Sequence, residues 1–374
     1  MEDKKTKVVI VSPSLNIEHN VSGVSAVTNF IIEHNRECEY EHFMQGRDDG
    51  ENGLLNRLLR VLRNYRVWKE KLKKVNDIVI HYNYPLDAPS IVRDYFFLKA
   101  AKKRRIPMVI HIHGGLYLFK EQKPIVVRKI LNEVFSWDNP FIVQSNKERE
   151  QIQRLYGAKN VSVLPNCVEL GAADSYIKEI TDEPLNILYL GRIEPNKGMD
   201  YLLDAVSKLK MEGQQFVLHF AGIEQGQNRY VERFRDYLGE SFVYEGVVSG
   251  EKKTKLFKRC QAFLLPSLYE GLPMSLLETM SFGIVPIVTD GGSIGEYVID
   301  GTNGLIIKMR DDESIIEAIR FLDRSRGKLQ KMSEAARRTI FKRLRPEEYV
   351  KKLNMIYRLM SDTNGITKIP WRVS

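Results

Sequence analysis

Two carboxylates stand close together in the stretch EGLPMSLLE, Glu270 to Glu278. An apolar run ending in Pro266-Ser267 precedes them, and a Gly271-Leu272-Pro273 turn follows Glu270. The residues from Met274 onward then predict a short apolar helix. Gly271 permits close backbone approach, and Pro273 fits a first helical turn. A helix start presents free N–H groups and the positive end of a dipole, which suits an anion. Glu270 lies in the loop before that helix, and Glu278 about one and a half turns into it at 3.6 residues per turn. The two acids could reach opposite ends of one ligand whose negative groups sit at the helix start. The plainer reading makes Glu270 a dipole-friendly loop acid and Glu278 a solvated helix residue. Leu276, Leu277 and Met280 argue against it, because they mark a mostly buried helix.

Cations stand in a comparable place upstream. In LYLGRIEPNKGMDYLLDAV, Gly191 ends a strand pattern, Arg192 and Lys197 follow in a loop, and Met199, Leu202, Leu203 and Val206 begin a helical pattern. Arg offers a planar fork of donors and Lys a compact charge, a pair suited to a diphosphate. A solvated loop is the alternative. In VTDGGSIGEYV, Ser293 and Glu296 match a capping box, and backbone near Gly292 could also meet a ligand. In VIHIHGGLY, His113 ends a strand beside two glycines and is a candidate ligand contact, whereas His111 alternates with it and reads as packed. In NVSGVSAVTNFI, Gly23 opens a helix, but GxGxxG is missing and a dinucleotide fold has little support.

The elements that must position these groups are legible as repeated short apolar runs. They are Val8–Ser12, Asp77–Asn83, Pro107–His113, Phe141–Ser145 and Val161–Asn166, with a weaker one at Tyr40–Gln45. After a stretch without periodicity, CVELGAADSYIKEITDEP, the theme restarts. The later runs are Leu185–Gly191, Phe216–Gly222, Phe242–Gly246, Ala262–Ser267, Val285–Asp290 and Gly304–Lys308. Strands apolar on both faces and separated by helices indicate parallel sheets covered on both sides. Two doubly wound α/β units in tandem are therefore expected, able to face a cleft between them. Such sheets bind ligands at the carboxyl ends of their strands, where the residues above stand. Two helical patterns, 327–344 and 346–360, and an irregular tail with Trp371 close the chain.

The chain has 374 residues, 43% of them hydrophobic and 28% charged, enough for two domains with substantial cores. Net charge is +9, and residues 51–150, with twice as many Lys and Arg as Asp and Glu, carry the excess. A basic face attracts nucleic acid, phosphorylated substrates or anionic lipid. No nucleic-acid motif accompanies the charge. Three scattered cysteines, Cys38, Cys167 and Cys260, without CxxC spacing read as reduced thiols and not a zinc site. No signal peptide or membrane span is expected, so the reading is cytoplasmic, in solution or on a membrane surface. The acid pairs in RDDGE (Arg47–Glu51) and RDDES (Arg310–Ser314) read as solvated loop charges.

Together, GRIEPNKG, PSLYEGLPMSLLE, MSFGIVPIVTDGGSIGEYV and DGTNGLII, in that order, resemble the retaining glycosyltransferases of GT-B fold, specifically glycosyltransferase family 4. The resemblance implies two Rossmann-like domains facing a cleft: residues 1–172 for the acceptor and 180–345 for a nucleotide sugar, with 346–374 packing back on the first. It implies that Arg192 and Lys197 hold the donor diphosphate, and that Glu270 contacts the donor sugar and Glu278 the ribose. Backbone of Gly271, Leu272, Met274 and Ser275 would meet the phosphates, and Gly246-Val247 the base. His113 resembles the histidine that touches the sugar, and Gly23 the glycine of the first loop. Ser22 departs from the usual Gly-Gly pair, and Cys167 and Glu169 stand where Gly and Asp are usual.

Breaking the anomeric bond would leave negative charge on the diphosphate, met by Arg192, Lys197 and the helix start. Positive charge on the sugar would be met by Glu270. The donor is a substrate; no further cofactor and no metal are expected. The acceptor would be a saccharide, free or linked to polyprenyl diphosphate, in bacterial surface polysaccharide assembly. The basic amphipathic pattern Leu54–Lys74, with Tyr65 and Trp68 as interfacial aromatics, suits the cytoplasmic face of an anionic inner membrane. The alternative is a surface helix packed on its own sheet. A nucleotide-sugar epimerase of the same architecture and a non-catalytic nucleotide-sugar-binding protein are the competing functions.

Overall fold

A computed structural model of the protein describes residues 5–16, 20–46 and 54–361. The tail with Trp371 and the RDDGE stretch lie outside those residues. The chain forms two compact units. The first comprises residues 1–166 and 346–374, and the second residues 167–345.

The first unit holds a six-stranded sheet: β1 (Thr6–Ser12), β2 (Cys38–Met44), β3 (Val79–Pro85), β4 (Met108–His113), β5 (Phe141–Val143) and β6 (Val161–Val163). Its order is β2-β1-β3-β4-β5-β6 and every pairing is parallel. The inner strands are buried on both faces, as their uninterrupted apolar runs require. β2 at the edge alternates buried and open positions, which is why its pattern is weaker.

The second unit repeats the theme with β7 (Leu185–Leu190), β8 (Phe216–Ala221), β9 (Phe242–Gly246), β10 (Ala262–Leu265), β11 (Val285–Thr289) and β12 (Leu305–Ile307). Its order is β12-β11-β10-β7-β8-β9, again parallel throughout. Strand order reverses between β1 and β3 in the first sheet and between β7 and β10 in the second. Those two switch points are where ligands of doubly wound sheets bind.

The stretch without periodicity proves to be a strap on the second unit. Lys178 is buried, and its ammonium donates to the carbonyls of Phe257, Lys258 and Cys260 at 2.8, 3.0 and 2.6 Å. It thereby closes the end of the helix Gly250–Arg259. The final helix, Pro346–Ser361, returns to the first unit and packs on the helix Gly23–His34 and on β1, β3 and β4. Asn354 accepts from Asn35 at 2.6 Å, and the Tyr357 hydroxyl meets His81 Nδ1 at 2.6 Å.

The helix Leu54–Lys74 corrects one expectation. Trp68 is fully buried, donates Nε1–H to the Phe97 carbonyl at 3.0 Å and lies against Phe43. Tyr65 packs on the same core. Neither aromatic is interfacial. Among its described side chains, the exposed apolar residues are Leu55, Leu58, Leu59, Leu62 and Val67.

Candidate active site

The second switch point collects most of the residues singled out in the sequence. After β7 the chain passes Gly191 and Arg192, makes a short 3-10 turn at Pro195–Lys197, and enters the helix Met199–Met211 through Gly198. The Tyr189 hydroxyl, on β7, donates to the Arg192 carbonyl and so ties the loop to the strand. Burial, with Glu270 and Glu194 nearby, holds that hydroxyl well above its ordinary pKa. Gly198 has φ +76°, and a Cβ there would fall 2.1 Å from the Pro266 carbonyl oxygen. Only glycine lets this loop lie against the end of β10. Leu268 N–H donates to the Asn196 carbonyl at 3.0 Å and completes the seam.

That seam brings Lys197 to Glu270. Their ion pair spans 2.6 Å, and the Ser267 hydroxyl donates to the same carboxylate oxygen at 2.7 Å. The next loop is stitched on by Gly292, whose Cβ would fall 1.7 Å from the Glu270 carbonyl oxygen, and by Ser293 N–H donating to the Gly271 carbonyl. Ser293 and Glu296 do not form the expected capping box. Ser293 precedes a single 3-10 turn, Ile294–Glu296, and makes no side-chain cap bond. The Ser293 N–H, which a box would give to Glu296, is taken instead by the Gly271 carbonyl. Likewise, RDDES is more than solvated charge: Asp311 caps the helix Asp312–Arg324, and Asp312 and Glu313 both bind Lys208.

Glu270, Gly271 and Leu272 lead into the helix Met274–Ser281. Pro273 stands at its cap position, outside the first helical turn, and brings no side-chain cap. The N–H groups of Met274 and Ser275 at the helix start are the donors such an end leaves over. Leu276, Leu277 and Met280 are fully buried and fix the helix in the core. Glu278 faces the other way from that core and pairs with Lys253 of the helix Gly250–Arg259 at 2.7 Å. Each acid of the pair therefore has its own lysine. Lys253 escaped the sequence reading because nothing in a lone helical lysine announces a partner 25 residues away. Gly246 and Val247 follow directly at the end of β9, the former with φ +68°.

In the first unit, Gly23 begins the helix Gly23–His34, and Ser22 is its N-cap, accepting from Ser25 N–H. Serine replaces a glycine of the usual pair and supplies a cap in exchange. His113 lies at the end of β4 and is buried. Asn83 must direct its amide N–H to the Val11 carbonyl, at 2.9 Å, so its oxygen faces His113 Nε2 at 2.7 Å. The imidazole consequently carries its proton on Nε2, leaving Nδ1 as an acceptor, 3.4 Å from Gln144 Nε2. Burial pushes the His113 pKa down to about 3, with His81 adding to the shift. His111 is packed beside it, as expected, with ring centroids 4.0 Å apart.

The carboxyl edge of the second sheet thus offers three cations, two acids and a helix start beside a reversal of strand order. Sequence comparisons agree with that construction. The profile "Glycosyltransferase Family 4" matches residues 33–171, and "Glycosyl transferases group 1" matches residues 173–339. The chain belongs to the family 4 type of glycosyltransferases. As a glycosyltransferase of GT-B fold it superposes on a sucrose-phosphate synthase from Thermosynechococcus elongatus with a TM-score of 0.77 at 16% identity, covering 95% of this chain and 99% of that one. HepE from Anabaena, solved with UDP and glucose, gives 0.71 at 15% identity over 95% and 100% of the two chains. Among curated proteins, an uncharacterized 41.2 kDa protein in the cps region of Klebsiella pneumoniae is 21% identical over 259 residues, 66% of this chain and 69% of that one. The match covers only about half the length of other curated relatives, 48% and 52% in two cases.

Proposed function

We propose that this glycosyltransferase moves a hexose from a nucleoside-diphosphate sugar to a saccharide or lipid-linked saccharide acceptor, with retention of anomeric configuration. The observation that carries the reading is the division of the two acids: Lys197–Glu270 on one side of an uncapped helix start, Lys253–Glu278 on the other. A sugar at Glu270, a diphosphate at the helix start with Arg192 and Lys197, and a ribose at Glu278 give each of these four groups one role, with Lys253 holding Glu278. Gly246-Val247 then borders the base. At the carboxyl end of β4 in the first unit, His113 Nδ1 is an acceptor for a saccharide hydroxyl in exchange for Gln144.

Reaction breaks the bond between the anomeric carbon and the diphosphate oxygen, which keeps the electron pair. The acceptor hydroxyl oxygen attacks the same face, and its proton passes to the departing phosphate. Arg192, Lys197 and the helix N–H groups stabilise the charge that develops on that phosphate. Glu270 stabilises the cationic sugar. In this reading protein cations act as the counter-ion of the leaving group. The occurrence of one relative in a cps region, and the likeness to a lipopolysaccharide outer core galactosyltransferase, favour surface polysaccharide assembly.

A panel of UDP and GDP sugars in a thermal-shift assay tests the donor, because a ligand that binds the folded state raises the midpoint by mass action. The donor found is then incubated with and without acceptor, and the anomer of the product is read by NMR. One nucleotide sugar should raise the midpoint and be consumed only with acceptor. Conversion of the sugar without acceptor would make the protein an epimerase instead.

A further inference from the structure

The helix Leu54–Lys74 has two apolar faces, and the fold uses one. Val61, Tyr65, Trp68 and Leu72 repeat at helical spacing and turn into the core of the first unit. Leu55, Leu58, Leu59 and Leu62 repeat at i, i+3, i+4 and i+7 and define a second face, about 100° further round at 3.6 residues per turn. These four leucines are 49–68% exposed. Single exposed leucines are unremarked on any surface, but four on one face of two turns form a contiguous patch. Continuing along the same face, the spacing passes through Arg66, Lys69 and Lys73, all exposed, with Arg63 at its edge. The face is apolar in its first half and mainly cationic in its second, where exposed Glu70 at its edge pairs with Lys73 at 2.6 Å. No helix among the described residues is long and apolar enough to cross a membrane.

We infer that this face docks on the surface of an anionic lipid bilayer, with the four leucines entering the acyl boundary and Arg63, Arg66 and Lys69 lying among the headgroups. Charge selects this occupant. A second copy of the chain, packed leucine on leucine by two-fold symmetry, would leave the cationic half-face without a negative partner. A bilayer with acidic headgroups supplies both things the face presents: hydrocarbon for the leucines and negative charge for the cations. The buried face keeps the helix anchored to the sheet through Trp68 and its bond to Phe97, so docking needs no unfolding.

Flotation of the whole protein with vesicles of phosphatidylcholine alone, or with phosphatidylglycerol added, tests the inference. It reads binding without turnover and stands apart from the donor assignment. The protein should float with the acidic vesicles and not with the neutral ones. Leu58→Glu with Leu62→Glu should abolish flotation while leaving the melting temperature unchanged, because both side chains are exposed. Arg63→Gln with Arg66→Gln should weaken it about fivefold per charge removed and flatten its salt dependence. Equal flotation of wild type and the leucine variant would overturn the inference, as would failure of wild type to float. A dimer in light scattering that the leucine variant converts to monomer would assign the face to a second copy instead.

Discussion

Lys197 and Lys253 give the two acids different working environments. Glu270 accepts from both Lys197 and Ser267 and is held at the strand end, whereas Glu278 has Lys253 as its charged partner. Replacing Glu270 with Gln keeps the shape and removes the charge opposite the cationic sugar. We expect kcat to fall about 100-fold or more, measured as nucleotide release with saturating donor. Lys253→Ala should act on binding. With its partner gone, Glu278 loses its orientation, and donor KM should rise about tenfold with kcat nearly constant. Lys253→Arg should restore KM. A Lys253→Ala enzyme with unchanged KM and depressed kcat would place Glu278 at the chemistry and not at the ribose. Both acids could be named from spacing within one short stretch. Their lysines could not be assigned on the same footing: Lys197 belongs to a recognisable loop, while Lys253 is one of several cations on a polar helix.

At the level of elements, the site depends on loops pressed together more closely than side chains allow. Gly198→Ala would set a methyl against the Pro266 carbonyl in a left-handed backbone conformation. We expect a loss of about 3 kcal/mol or more, read from urea unfolding, together with loss of transfer as Lys197 leaves Glu270. The strands themselves were readable, because parallel strands buried on both faces leave uninterrupted apolar runs in the sequence. The faces of helices were less so. In Leu54–Lys74 apolar residues occupy more than one stripe, and only the neighbouring Phe97 and Phe43 decide that Trp68 turns inward. The strap at residues 167–180 shows no periodicity in the sequence because its anchoring runs through Lys178 and main-chain carbonyls of a distant helix. Hydrogen bonds to carbonyls leave no composition signal.

On the scale of the whole molecule, the first unit buries three neutral histidines on one face of its sheet. His81 and His113 are pushed down to about 3 and His111 well below its usual value of 6.5, in each case chiefly by burial. In the unfolded chain all three bind protons below about pH 6.5. The unfolded state therefore holds more protons through the window from about 6.5 to 3, and stability is lost as pH falls through it. Each histidine contributes up to about 1.4 kcal/mol per pH unit. Urea midpoints measured from pH 7 to 5 should drop accordingly, and His111→Gln should reduce the slope by about a third. A flat profile would mean that the histidine face is already wet. The helix Pro346–Ser361 covers part of that face, its Tyr357 hydroxyl meeting His81. Since the second unit is inserted between Asn166 and Pro346, the ribosome finishes it before delivering that helix. The amino-terminal half must then wait for residues beyond the second unit before its histidine face is covered. A chain cut after Arg345 would emerge with a folded second unit and an unfinished first.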